Sequence, residues 1–415
     1  MYSHCVADDI LLANMYCFRK TLFFLLKLLY ALLLVVLMAV VATSISVIYD
    51  FSAPGQFSGP DIYNPYRGID TAHCWKKANF HTHTRVDGIL NECKYWPDHV
   101  YGVYEKLGYD IVTFSNHNQL TTHPSDTSLQ VNVYEHGYNL FKFHKLVFGS
   151  SGVNRFDHLL PLLPSQMQMQ FDMLGKESDI IQFNHPLHTL SATKWAMEKL
   201  CGYDIMEIDC EGSTECEYWD WALSAGRYSF GLAGDDLHNP DDSHRVAKRC
   251  SFICSPSAAY AHVRDALLGG CYYSMRVPDY GKGDWAVKTA RNHSMPFVKD
   301  IGVKGDTVYV SLSHVADSIK LFGQGHATLA LVTDSDYAAY EMKGEDAYAR
   351  FTVYFPTGEV LFSNPFARYD SALASTPVRE GQHCVNIPLT VLYNALLLAL
   401  MVLLMFVFYR NIIKR

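Results

Sequence analysis

The sequence predicts an α/β fold for its central part, a small all-β module after it, and a membrane-spanning helix at each end. Three observations carry this reading. Short apolar runs alternate with helical stretches over residues 71–295. Over 296–370 the texture changes to short strands punctuated by Gly, Asp and Ser. Two long uncharged apolar stretches occupy 28–48 and 388–408. Strands and helices alternating at this pace imply a parallel sheet covered by helices, most simply a barrel.

The outer elements come first. Residues 28–48 and 388–408 are each long enough to cross a bilayer, the second interrupted only by Asn394. Arg19, Lys20 and Lys27 precede the first, and Arg410, Lys414 and Arg415 follow the second. Positive charge inside puts 1–27 and 409–415 in the cytoplasm and everything between the spans beyond the inner membrane, in the periplasm. A cleaved signal peptide is the alternative for the first stretch. Its apolar core is longer than such peptides use, and no A-x-A site follows. Residues 49–70, rich in Pro, Gly and Ser, read as a linker, and 371–387 as a second one.

Inside the barrel-like part, Lys77–Phe80 is a strand leading into His81, and Asp98–Leu107 is a helix stopped by Gly108. Asp110–Phe114 is a strand running into Asn116 and His117, and Phe141–Phe148 is strand-like around His144. A helix at Gln166–Leu174 precedes the strand Asp179–Phe183, which delivers His185. A helix at Thr193–Leu200, a strand at Ile205–Ile208 and a helix at Tyr218–Ala225 follow. Ser229–Ala233 then runs into Asp235 and Asp236, and Ala258–Leu268 is the last clear helix. The β module comprises short strands at Ile301–Val303, Thr307–Leu312, Ile319–Phe322, Ala327–Val332, Ala349–Phe355 and Glu359–Phe362. Lys304–Asp306 and Pro356–Gly358 are its hairpin turns.

Composition excludes some functions. A net charge of −8 over 415 residues, with no Lys/Arg run outside the chain ends, argues against a nucleic-acid groove. Of eleven cysteines, Cys5 and Cys17 fall on the cytoplasmic side, leaving an odd number in the exported part. Cys201, Cys210 and Cys216, or Cys250 and Cys254, are near enough to pair, and none has zinc-finger spacing. They read as buried thiols or a few disulfides.

The chemistry lies in polar pieces at the ends of predicted strands, where barrel folds place their sites. These are His81-Thr-His83, Asn116-His117-Asn118, Glu135 with His144, His185-Pro186, and Asp236-Leu-His238. Two histidines of H-x-H on one strand share a face and can reach one ion. Imidazole with carboxylate suits Zn²⁺, Mn²⁺ or Fe²⁺, and such ions, paired, activate water near neutral pH and clamp a phosphoryl group.

In this order the pieces resemble the PHP (polymerase and histidinol phosphatase) superfamily, over about residues 72–276, and in particular its membrane-anchored bacterial members. The resemblance implies a distorted (β/α)₇ TIM-like barrel holding two or three divalent ions. Carried over, His81, His83, Glu135 and Asp236 would hold one ion. Glu135 would bridge to a second held by His144 and His185, and His117, His238 and Asp87 would hold a third. His117 and His238 are also catalytic candidates, with Arg245 and Arg276 supplying charge for phosphate. A solvated basic stretch (Arg245, Lys248, Arg249) is the bland alternative.

The chain departs from the family pattern at Asn116, where Asp is usual, at Asp87, one residue nearer His83, and at His136, beside Glu135. His123, His136, His158, His188 and His244 read as surface or capping residues, with His244 near the mouth. The expected function is a membrane-anchored, extracytoplasmic phosphoesterase cutting a mono- or diester of an unidentified phosphorylated substrate with metal-activated water. A catalytically weak metal-binding sensor, favoured by Asn116, is the first rival. A structural membrane protein with scattered histidines and no stoichiometric metal is the second.

Overall fold

The computed structural model describes residues 2–67, 75–88, 91–124, 129–210, 213–214 and 216–414, with backbone alone at 2–14 and 213–214. Residues 71–74 at the head of the expected barrel, Cys74 among them, lie outside these, as do Arg415 and the Cys5 side chain. The chain divides into two units: Met1–Tyr49 with His158–Leu160 and Val385–Arg415, and Asp50–Asp157 with Pro161–Cys384.

The first unit holds the two apolar helices. The stretches Met15–Thr43 and Ile387–Ile413 are each long and apolar enough to cross a membrane. The N-terminal helix ends at Thr43 rather than 48. Its exit is held by polar groups of the C-terminal helix Ile387–Phe408. Asn394 Nδ2 donates to the Ser46 carbonyl at 2.8 Å and its Oδ1 accepts the Ser46 N–H at 3.2 Å. Tyr393 donates to the Ser44 carbonyl at 3.1 Å, and Thr390 Oγ1 accepts the Ile48 N–H at 2.9 Å. Asn394, the polar interruption in the second apolar stretch, therefore satisfies both backbone groups of Ser46 in the extended segment after the N-terminal helix.

In the second unit the strands β1 (Trp75–Asn79), β2 (Ile111–Val112), β3 (Val133–His136), β4 (Lys145–Phe148), β5 (Ile180–Phe183), β6 (Ile205–Cys210), β7 (Phe230–Ala233), β8 (Arg249–Cys254) and β9 (Tyr272–Arg276) alternate irregularly with helices. The helices are α1 (Pro97–Lys106), α2 (Pro164–Leu174), α3 (Lys194–Met197), α4 (Cys216–Ser224), α5 (Tyr260–Gly269) and α6 (Trp285–Asn292). Proline at the first turn starts α1 and α2, where its missing N–H has no helical partner to lose. Gly270, at φ 75°, ends α5 in a left-handed cap where any Cβ would meet the Phe230 ring. Every residue of β3 to β7 is buried, which explains their near-continuous apolar composition.

No closed barrel is found among the described residues. One sheet runs β7-β6-β5-β4-β3, and β1, β2, β8 and β9 belong to another. β6 is parallel to β5 and β7, but β4 is antiparallel to both its neighbours. Between the sheets pairing shrinks to single parallel bridges, Thr82 with Leu237 and His117 with Glu135. A continuous ring needs full ladders at those seams; here the strands meet only at the bridging residues, and these flank or belong to the polar pieces.

Strands β10 (Val298–Lys304), β11 (Thr307–Phe322), β12 (Thr328–Glu341), β13 (Tyr348–Tyr354) and β14 (Val360–Ser363) extend the second sheet through the pairing of β14 with β9. The expected turns join β10 to β11 and β13 to β14, with Gly305 and Gly358 at positive φ. The short strands expected over 307–332 are instead two long ones, because a bulge between Ser311 and Ala316 absorbs the polar interruption. Cys254 is disulfide-bonded, while Cys201, Cys210, Cys216 and Cys250 form no disulfide, so none of the neighbouring pairs suggested by spacing forms.

Asp220 of α4 and Arg350 of β13 form a buried pair: Arg350 Nε donates to Asp220 Oδ1 at 2.9 Å and Nη2 to Oδ2 at 2.5 Å. Tyr348 and His326 add hydrogen bonds to the same carboxylate. Asp220→Ala would strand a guanidinium that is 1% exposed. The expected cost is about 3–5 kcal/mol, read as a lowered midpoint in urea unfolding, and an unchanged midpoint would show the pair to be dispensable.

Candidate metal centre

The carboxylate of Glu135, 1% exposed at the end of β3, gathers five imidazoles. Around Oε2 lie the Nε2 atoms of His81 at 3.3 Å, His83 at 3.1 Å and His117 at 3.2 Å. Around Oε1 lie His144 Nδ1 at 3.2 Å and His185 Nε2 at 3.3 Å, and Asn184 Nδ2 donates to it at 2.9 Å. Asp236 Oδ1 stands 3.2 Å from His81 Nε2, 3.0 Å from His83 Nε2 and 3.4 Å from His238 Nε2.

Each ligand atom reaches the centre through its strand end. His81 and His83 follow β1 and His185 follows β5, while Asp236 and His238 follow β7. Asp236 and His185 sit at φ 48° and 26°, a left-handed backbone that non-glycine residues adopt at some cost. Gly234 makes the approach possible, since a Cβ there would lie 2.6 Å from Glu207 Oε1 and 2.7 Å from His81 Cβ.

Two donor groups share Glu135: His81, His83 and Asp236 on one side, His117 and His144 on the other. A further group joins His83, His238 and Glu92. Glu92 Oε2 is also 3.1 Å from His117 Nε2. Asp87 is exposed and enters no such group among the described residues, and Glu92 stands where Asp87 was expected. Glu92 lies in a loop with no strand before it, so nothing in the sequence marked it.

Glu207 is the other carboxylate that sequence reasoning passed over. It is fully buried in β6, its Oε1 is 2.8 Å from His81 Nδ1, and its Oε2 accepts the His185 N–H at 2.9 Å. With Asp209 as a second carboxylate in the same strand, nothing in the linear pattern singled Glu207 out. The contact to Nδ1 fixes the imidazole so that Nε2 offers a lone pair. That Nε2 is buried and makes no hydrogen bond within the protein, although two carboxylate oxygens lie within 3.3 Å. A buried nitrogen flanked by carboxylates, without a proton to share, fits a divalent cation.

Charge balance tells the same story. Burial opposes charge on Glu135, but the imidazoles of His117, His81 and His144 hold its carboxyl well below the usual range. Burial also disfavours a charged His83, yet hydrogen bonds to Asp236 and Glu135 raise it to about 9. The carboxylates demand positive charge, which protons or metal ions can supply.

The open side of the cluster is a cavity of about 650 Å³, lined by Asp236, His238, His244, Arg245, Lys248 and Arg276 among others. Arg245 is largely exposed and lies 3.7 Å from Asp242. Arg276 and the buried Arg249 are both held by Asp209, each through Nε at 2.7 Å. Asp235 is not a ligand: Tyr104 and the backbone N–H groups of Ala247, Lys248 and Arg249 occupy its carboxylate. Asn116 accepts the Thr84 N–H and donates to the Thr84 and Thr121 hydroxyls.

Of the histidines set aside, His136 is hydrogen-bonded to the Phe156 carbonyl and His158 to the Thr43 carbonyl. His123 packs against Tyr101 and Phe114, His188 packs edge-on against His185, and His244 meets Asp279 at 2.7 Å on the cavity wall.

Among solved structures the chain is similar to a two-domain protein from Bacteroides vulgatus, described as containing a predicted PHP-like metal-dependent phosphoesterase, at 15% identity and a TM-score of 0.36, over 76% of this chain and 100% of that one. So weak a likeness assigns neither fold nor function. No family model and no curated protein matches the chain.

Glu207→Gln should weaken metal retention by about 10–100-fold, measured by elemental analysis after dialysis against graded chelator. Glu92→Ala should lower the metal content while Asp87→Ala leaves it intact; the reverse result would restore the assignment based on sequence.

Proposed function

We propose that this chain is a membrane-anchored, metal-dependent phosphoesterase of the PHP type. The observation that carries the reading is the Glu135 carboxylate, shared between two imidazole-rich donor groups at a cavity lined with cations. His81, His83, Glu135 and Asp236 would hold one divalent ion, and His144, His185 and the other oxygen of Glu135 a second. His117 and His238, with Glu92 in place of Asp87, would hold a third. The donor set suits Zn²⁺, Mn²⁺ or Fe²⁺. When bound, such ions would activate water and neutralise charge on a phosphoryl group.

The protein's own part is to bind and orient. Arg276 is anchored by Asp209, so its charge is fixed before substrate arrives, while the largely exposed Arg245 lies at the cavity wall beside Asp242. His238, a third exposed on the cavity wall, stands where a substrate oxygen would approach. A phosphomonoester or a diester could occupy this space. Residues 71–295 would carry the chemistry and 296–370 would buttress it. The flanking charges favour cytoplasmic termini and a periplasmic catalytic part, and the disulfide at Cys254 accords with an oxidising compartment.

A catalytically weak metal-binding sensor, favoured by Asn116, is the alternative; the hydrogen bonds of Asn116 to Thr84 and Thr121 support a structural role for that residue.

The purified protein should contain two or three metal ions and turn over p-nitrophenyl phosphate or bis-p-nitrophenyl phosphate. His83→Ala and Asp236→Ala should each lose metal together with at least about 100-fold in turnover. Full metal content in both variants would overturn the site. A reporter fused after Arg415 should report cytoplasm, and a periplasmic signal would overturn the topology.

A further inference from the structure

A second constellation lies apart from the histidine cluster. Cys201 Sγ is 3.2 Å from His383 Nδ1, and His383 Nε2 is 2.9 Å from Asp172 Oδ2. The thiol, imidazole and carboxylate thus stand in series through the two ring nitrogens, the arrangement by which nucleophilic triads are recognised on unrelated folds. Gln168, fully buried one turn before Asp172 on α2, fixes two of the members. Its Nε2 donates to Asp172 Oδ1 at 2.8 Å and to the Cys201 carbonyl at 2.9 Å, while its Oε1 accepts the Cys201 N–H at 3.1 Å.

A cavity lies beside the pair. Cys201 and His383 line a space of about 250 Å³ whose wall includes Tyr203, Phe230 and Leu268 together with the polar Asp204, Arg379 and Gln382. Cys201 is 8% exposed and carries no disulfide. Hydrogen bonds to Asp172 and to Cys201 raise His383 above the usual imidazole range, which makes its ring a stronger base. A basic imidazole against a thiol can take its proton and so generate the reactive form of the nucleophile. A cysteine that merely filled a core would need neither the imidazole nor its carboxylate.

We propose that Cys201, His383 and Asp172 form a second, thiol-based catalytic site that takes a short acyl group from an ester or thioester. The Cys201 thiol gives its proton to His383 Nδ1, and the sulfur attacks the acyl carbon to form a C–S bond. The bond to the leaving oxygen or sulfur breaks, and that atom takes the proton from Nδ1. Water then adds to the thioester with Nδ1 accepting its proton; the acid leaves and the thiol is restored. No oxidant or reductant is consumed. Asp172 and Gln168 are positioning residues, acting through His383 and Cys201.

The test uses the full-length chain in detergent micelles. In an iodoacetamide pulse at about neutral pH, read by peptide mass spectrometry, Cys201 should label about 10-fold faster than the exposed Cys384. His383→Gln should abolish that excess. Asp172→Asn should reduce it and Asp172→Glu restore it, with Cys384 labelling unchanged throughout. p-Nitrophenyl acetate should give a stoichiometric burst and an acetyl adduct on Cys201. Cys201→Ser should lose both while keeping metal content and phosphate-ester turnover. Labelling of Cys201 no faster than Cys384, or a burst that survives Cys201→Ser, would overturn the proposal. Undiminished labelling in both His383→Gln and Asp172→Asn would overturn it equally.

Discussion

The second unit is organised around one buried carboxylate. Removing an ionised Glu135 from water costs several kcal/mol unless it is compensated, and the compensation comes from imidazoles delivered by strands distant in sequence. His81 and His185 are separated by 104 residues of chain (185 − 81), yet their rings stack 5.7 Å apart. Only a particular set of strand ends brings them there. The seam between β3 and the segment after β2 is itself a single bridge, from His117 to Glu135. Architecture and site are therefore one constraint: the sheets meet where the carboxylate needs partners.

That coupling explains what could be read from the sequence. His81, His83, His117, His144, His185, Asp236 and His238 were legible because most follow an apolar run, and a polar residue ending such a run has few structural uses. Glu92 was not legible, because its loop has no pattern to interrupt. Glu207 and Asp209 looked like ordinary strand residues. Their alternation along β6 places both on one face, where one orients His81 and the other holds two arginines. Such carboxylates act by serving other residues, and a linear pattern does not say whom a side chain will serve.

The barrel expectation failed for a reason visible in loop lengths. The eight residues between β3 and β4 are too few for the crossover that a parallel neighbour requires. β4 therefore reverses and strict β/α alternation fails there, while the ring itself is interrupted at the Thr82–Leu237 and His117–Glu135 seams. The long hairpin of β11 and β12 went unread for the opposite reason. A bulge lets one strand continue through residues whose polarity looks like a stop. Local punctuation and long-range pairing disagree there, and pairing prevails.

Asn394 brings in a matter of timing. Its hydrogen bonds to Ser46 join residues 348 positions apart. At the usual pace of synthesis, about 5–20 residues per second, the exit of the N-terminal helix waits roughly 17–70 s for the chain that will cap it. During that interval its open carbonyls and N–H groups need provisional partners, from water, headgroups or the insertion machinery. The whole second unit is made inside this interval. Pairing of the two apolar helices is therefore a late event, which follows synthesis of the whole second unit.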